Sequence, residues 1–467
     1  MIVYVETLGC SRNQVDSEIM LGKLAAAGHT PTRDPSCAEA IVVNTCSFIS
    51  AAADEAVDTL LEMAGYKKHG VCRRLIVTGC LAQRYKDDPD LTGTLPEVDA
   101  FAGTGACEQI VDVVENKGPV PLTLFPDPDT RGFQDLSVDR ALTGEPFAFV
   151  KVSEGCSRLC TYCIIPTLRG RQRSRPMEEI CAEALSLVSK GVKEIILTAE
   201  NTTDYGQDLK DGSAFHQVLE NLSRQAAAVN PDVWIRFLYT HPKSLTRKIV
   251  HTVKHHSNIC SYYDVPIQHA DTTMLRRMGR PCTLKELESL FSMIRETDPD
   301  AALRTTVITG FPGETEDMFT TLLDFIQKVK FDHLGVFTYS DASDLASHAL
   351  QNHVPQDVAQ RRHDTLMAAQ EKISEQINQK HAGRIYPVLV EENPEPGLFI
   401  GRTMFQAPEV DGVTFIYAKG LATGTVVQVK ITDAFAYDIA GEVVAEGRIA
   451  NRPCATAYEN EIAGKRA

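Results

Sequence analysis

The sequence has no long apolar run, no basic excess, no internal repeat and no low-complexity tract. No stretch approaches the roughly 18 apolar residues of a membrane-spanning helix, so no membrane partner is expected. Met1 to Glu6 read directly as a strand. They lack the charged head, apolar core and small-residue cleavage site of a secretory signal. There are 47 Lys and Arg against 62 Asp and Glu, a net charge of −15. A protein that grips phosphate backbones carries basic patches, so nucleic acid is not expected as the primary partner. An acidic surface steers a basic protein towards it instead. Also missing are a phosphate-cradling Gly-Lys loop and a nucleophile elbow.

Cysteine, by contrast, is plentiful, with 13 in 467 residues. Without export, these point to a reducing cytoplasm, where cysteines serve as metal ligands more often than as disulfides. Three of them, Cys156, Cys160 and Cys163, have the spacing Cys-x3-Cys-x2-Cys. Chance would produce that triple roughly 0.01 times in such a chain. Thiolates are the ligands of iron–sulfur clusters. Three ligands on a four-iron cluster leave one iron open, which suits chemistry. A structural zinc site with a fourth ligand, or three core cysteines, are the alternatives.

Residues 1–117 alternate strand and helix, with strands expected at Ile2–Val5, Ala40–Val43 and Leu75–Thr78 and helices at 16–27 and 51–63. That pattern predicts a doubly wound parallel sheet. Each strand runs into a cysteine: Cys10, Cys46 and Cys80. The carboxyl ends of such strands share one edge where ligands bind, so the three thiols could converge. Ordinary burial is the competing explanation. Residues 118–146, rich in proline, read as a linker.

From Phe147 to about residue 382, six strands are expected, at 147–152, 194–198, 234–239, 262–267, 303–308 and 333–339. Six βα units fall short of the eight that close a barrel. A partial, open barrel follows, with a side free for a macromolecular substrate. Its strand ends place Glu154, Glu200, Asn201, His241, Gln268, His269 and the turn Gly310-Phe311-Pro312-Gly313-Glu314 at one edge. The segment Arg169 to Arg175 reads either as a rim near the site or as surface ion pairs. A long amphipathic helix over 355–380 follows. Residues 383–450 switch to a period of two and predict a small antiparallel β-barrel. Residues 385–450 carry four basic residues against nine acidic ones, a net of −5. Residues 451–467 read as a tail.

The Cys156 loop resembles that of the radical S-adenosylmethionine enzymes. The resemblance implies a [4Fe–4S] cluster on Cys156, Cys160 and Cys163, with S-adenosylmethionine bound at its open iron and cleaved to a 5′-deoxyadenosyl radical. Tyr162 matches the aromatic position near adenine. Tyr162, Glu200, Gly310 and Gly313 are the expected cofactor contacts. Cys10, Cys46 and Cys80 ahead of such a domain, with a β-barrel behind, resemble the methylthiotransferases over essentially the whole chain. That implies a second, auxiliary [4Fe–4S] cluster on those three cysteines and a TRAM-type final domain.

Two branches of that family are relevant. One adds a methylthio group to isopentenyladenosine in tRNA, the other to the β-carbon of an aspartate in ribosomal protein S-twelve. Thr7–Cys10, Val77–Leu81, Arg169–Pro176 and 407–412 are similar to the second branch, and the acidic final domain suits a basic ribosomal protein. The electron donor would be a flavodoxin or ferredoxin. Three places depart from that branch: Ser11-Arg12 stands for Pro-Lys, Glu200-Asn201 for Gln-Asp, and Ile164 resembles the tRNA branch. A non-catalytic iron–sulfur protein that binds the ribosome is the reading from a different class.

Overall fold

The computed structural model describes residues 1–116, 120–130, 133 and 138–444. The tail expected over 451–467 lies outside the described residues. The first unit is a six-stranded parallel sheet built from β1 (Ile2–Thr7), β2 (Thr30–Pro31), β3 (Ala40–Thr45), β4 (Arg74–Gly79), β5 (Ala100–Ala102) and β6 (Leu122–Leu124). The order is β2-β1-β3-β4-β5-β6. All six residues of β3 are buried. Val42 faces one core with Val15 and Ile19, while Ile41 and Val43 face another with Ala56 and Leu60. Helices therefore cover both faces, which is why this strand reads as an unbroken apolar run.

Three short strands extend the expected sheet. One of them, β6, falls inside 118–146 and pairs with β5. That stretch, expected as a linker, thus contributes to the first sheet. Three residues between prolines are too few to show a period. The first helix, Ser11–Ala26, starts five residues earlier than its apolar spacing suggests, directly after Cys10. Its first turns are polar yet buried at Ser11, Asn13 and Asp16.

The second unit holds β7 (Phe147–Lys151), β8 (Ser153–Glu154), β9 (Arg173–Ser174), β10 (Glu194–Thr198), β11 (Trp234–Phe237), β12 (Tyr262–Asp264), β13 (Ala302–Thr309) and β14 (His333–Thr338). All six expected strands are present and parallel, in the runs β7-β10-β11 and β12-β13-β14. A parallel bridge between Ile235 and Ile259 joins the two runs. Among the described residues β7 and β14 do not pair, so the barrel is open. The small ladder β8–β9 ties the base of the Cys156 loop to the segment Arg169–Arg175. The helix Gln356–Asn378 packs on β14.

The third unit is a closed five-stranded barrel of β15 (Ile385–Glu395), β16 (Leu398–Thr403), β17 (Thr414–Tyr417), β18 (Val426–Ala434) and β19 (Ile439–Val443). The end of β16 and the segment after it close over the amino-terminal end of the open barrel. Glu194, the first residue of β10, receives Arg402 at 2.7 Å and Arg236 at 2.6 Å. Tyr262 donates its hydroxyl to Asp411 at 2.6 Å, and His333 lies 2.9 Å from the Phe405 carbonyl. One apolar cluster includes Ile19, Phe149, Trp234, Leu389 and Ala407, so all three units share a core.

Candidate active site

The first sheet has the strand order of a doubly wound fold whose direction reverses between β1 and β3, and ligands bind outside the carboxyl ends of strands at such a switch point. Cys10 follows β1, Cys46 follows β3 and Cys80 follows β4. Cys46 lies close enough to Cys10 to feel its charge, and Cys80 feels both. Gly9 and Gly79 turn the chain there with φ of +93° and +90°, which glycine adopts at no steric cost. A Cβ on Gly9 would lie 2.5 Å from Cys46 Cβ, so the turn and the thiol are in contact.

The charges around this set are positive. Burial pushes the Cys10 thiol up, but Arg12, Arg169 and the Asn13 and Arg12 backbone amides outweigh it and bring it below its ordinary value. Burial raises Cys46 and takes Cys80 up to about 12, with Arg169 as the opposing charge at Cys80. The second set, Cys156, Cys160 and Cys163, has a different surrounding. Burial first, then the neighbouring acids and thiols, pushes Cys156 up to about 11 and Cys163 up to about 12. Negative charge from Glu200 reaches both.

Between the two sets lies a buried charge cluster. Arg169 donates to Asn13 Oδ1 at 2.6 Å and sits 3.3 Å from Asp16 and 3.4 Å from Glu154. Lys151 reaches Asp16 at 2.8 Å and also pairs with Glu154. Glu200 lies 3.3 Å from Arg12 Nε and 3.7 Å from Arg169 Nε. Burial raises the Glu200 carboxyl, opposed first by Arg12 and then by Arg169. Arg169 and Arg175 are interior residues, 3% and 2% exposed. They are therefore not the surface pairs that were one expectation. The departures at positions 12 and 200 prove to be one ion pair across the domain boundary.

Tyr162 packs edge-on against Phe311, which packs in turn against Tyr339. The glycine turn is shaped by Glu314, which accepts from Gly310 N at 2.6 Å and from Arg362 at 2.8 Å, with His269 3.2 Å away. The space left by the missing side chain is taken by Ala359 at Gly310 and by the Arg277 guanidinium at Gly313. Both glycines thus have a protein neighbour as their reason. Two non-glycine residues at the same strand edge have positive φ: Gln268, expected there from the sequence, at +69°, and Tyr239, not singled out there, at +59°. Such strain in non-glycine residues gathers at functional sites. The Arg12 guanidinium lies over the Tyr239 ring at 4.9 Å.

The donors fit iron–sulfur clusters. Each set supplies three thiols; Cys80 is buried and the other five are half-buried. Among the described residues no three His, Cys, Asp or Glu side chains converge tightly enough for a single metal ion.

Comparison with known proteins agrees. Residues 2–103 match the Uncharacterized protein family UPF0004, residues 150–326 the Radical SAM superfamily and residues 382–444 the TRAM domain. The chain is 49% identical over 445 residues to the ribosomal protein uS12 methylthiotransferase RimO of Desulfosudis oleivorans, covering 95% of this chain and 100% of that one. The chain belongs to the RimO family. The proteins of that name from Clostridioides difficile and Geobacter sulfurreducens are each 42% identical, over 95% of this chain and 99% and 98% of theirs. RimO enzymes are radical methylthiotransferases that work with two [4Fe–4S] clusters and S-adenosylmethionine. The fold is also similar to that of the radical S-adenosylmethionine methyltransferase TsrM from Kitasatospora setae. That match has a TM-score of 0.53 and 13% identity, and it covers 87% of this chain and 80% of that one. No helix among the described residues is long and apolar enough to cross a membrane.

Proposed function

We propose that this chain adds a methylthio group to the β-carbon of an aspartate in ribosomal protein uS12. In this reading Cys156, Cys160 and Cys163 hold the radical cluster, and Cys10, Cys46 and Cys80 hold the auxiliary one. The observation that carries it is the junction: two three-thiol sets at facing strand ends, joined by Arg169, Glu200 and Arg12. When bound, the two clusters and S-adenosylmethionine supply the radical and the methylthio group, which acid–base side chains cannot do at an unactivated carbon. The protein's own residues orient and exclude. Arg169 and Arg12 hold the first sheet against the barrel, which fixes the separation of the two thiol sets. The buried wall of Leu168, Ile164 and Leu345 around Cys80 keeps water from that site. Glu314 holds the Gly310–Gly313 turn in shape behind Phe311 and Tyr162.

The acidic final barrel supports a basic protein substrate over RNA, whose phosphates need positive charge. Work in the cytoplasm with a flavodoxin or ferredoxin as electron donor belongs to the same proposal. Mass spectrometry of uS12 tests it, with a methylthio gain expected at one aspartate only when the protein is present. The same gain on tRNA adenosine instead would assign the other branch. Changing Cys156, Cys160 and Cys163 to Ala should abolish 5′-deoxyadenosine formation while leaving the auxiliary cluster. Continued cleavage in that variant would defeat the assignment of the two sets.

A further inference from the structure

Arg280 differs from the other deeply buried arginines. Arg140, Arg175, Arg236 and Arg402 each meet a carboxylate within 2.7 Å. Arg280 is 8% exposed, yet none of its contacts among the described residues is to a carboxylate. Its Nη2 donates to the Pro266 carbonyl at 2.7 Å. Its Nη1 points the other way, 3.4 Å from the Tyr162 hydroxyl and 3.9 Å from Cys160 Sγ.

The strongest influences on Arg280 besides burial are Tyr162 and Cys160, neither of them a carboxylate. Burial, and then Arg280 itself, Arg158 and Lys243, push the nearby His241 down to about 2, so that ring is neutral. Arg158 is paired with Asp204 and brings no free acid to Arg280. A buried guanidinium without a counter-ion is costly, and such a site is completed by an anion. The group within its reach is a cysteine of the Cys156 set.

We propose that Arg280 is a positioning residue for the radical cluster, donating to the Cys160 thiolate and offsetting the charge the cluster gains when one electron enters. The proposal rests on Cys160 being a cluster ligand, as in the reading above. Hydrogen bonds to the sulfurs and net charge set the potential of such clusters. Tyr162 and the Pro266 carbonyl hold the guanidinium in place, and Arg280 is not itself required to touch substrate.

The test is a potentiometric titration followed by electron paramagnetic resonance on the full chain carrying both clusters. The radical cluster is identified as the signal that changes on adding S-adenosylmethionine. In Arg280→Gln its reduction should become about tenfold less favourable, 59 mV for one electron. Arg280→Lys should recover most of that shift, since it keeps the charge. The other cluster should titrate unchanged in both variants. An unchanged radical-cluster midpoint in Arg280→Gln at full iron content overturns the inference and leaves the proposed function standing. Equal shifts in both clusters, or a lysine variant no better than glutamine, overturn it too. Absence of any signal that responds to S-adenosylmethionine in the unmodified protein overturns the cluster assignment and the inference with it.

Discussion

Replacing Gly9 by alanine would insert one methyl group into the wall of the Cys10 set. Two costs can be separated. Gly9 has φ of +93°, where an L-residue pays about 1–2 kcal/mol for its Cβ. The added carbon would also sit 2.5 Å from Cys46 Cβ and 3.0 Å from Cys46 Sγ. Carbon atoms pack best at ~3.5–4.0 Å, so the overlap is about 1 Å. Cys46 Cβ is bonded to backbone and cannot swing aside as the end of a long side chain can. The thiol must move, and under the proposed function, in which Cys46 holds the auxiliary cluster, a displacement of that size takes it out of reach of its iron. Gly28 provides the control. Its φ is +88°, and nothing lies within 4 Å of its would-be Cβ. Gly28→Ala therefore carries the conformational cost without the collision. Iron and sulfide analysis of the reconstituted proteins should show Gly9→Ala with roughly half the iron, one four-iron cluster of the two. It should still cleave S-adenosylmethionine to 5′-deoxyadenosine but transfer no methylthio group. Gly28→Ala should hold both clusters. Full iron in Gly9→Ala, or equal iron loss in Gly28→Ala, would refute the reasoning.

Arg169→Met removes one of the cations around Asp16, Glu154 and Glu200, while Lys151 stays beside the first two and Arg12 beside the third; it should cost about 3 kcal/mol, read as a lowered unfolding midpoint. Arg402→Met leaves Glu194 with Arg236 alone and should destabilise by about 3 kcal/mol in denaturant titration; adding Glu194→Gln should recover part of that loss. His381 is stacked on Phe405 at 4.3 Å, and burial, then Arg384, His333 and Lys380, push it from 6.5 down to about 4. Its folded value is the depressed one, so the unfolded chain binds the proton first and stability falls as pH drops from about 6.5 to about 4. His381→Gln should flatten that part of a melting-temperature profile against pH.

The cysteine sets were legible because each follows an apolar strand, and strand ends in a parallel sheet share an edge. The six barrel strands were legible for the same reason, each being a buried run between helices. Arg169 and Glu200 were visible as residues but not as partners. Their meeting with Arg12 joins positions far apart in the chain, and packing of the helix Ser11–Ala26 on β7 brings them together. The start of the helix at Ser11 was hidden by that same packing. Its polar first turns look like loop, yet they are buried at the domain junction with their hydrogen bonds made, as Asn13 donating to Leu8 O and Thr45 O shows. Strands β2, β5 and β6 are two or three residues long, below the length at which a period can be read.

The seal that Arg402 and Asp411 make on the open barrel has a geometric result. It closes the end where the strands begin, whereas the cysteine loops lie where they finish. The two ends are separated by the height of the barrel wall, on the order of 20 Å for strands of three to eight residues and the loops that continue them. A partner that touches the acidic final barrel and also offers its side chain to the cysteine edge must span that height. Pinned through Glu194, the final barrel cannot swing round to shorten the path. A partner bound at both ends must therefore reach across the whole barrel wall, which favours one with an extended arm over a compact one.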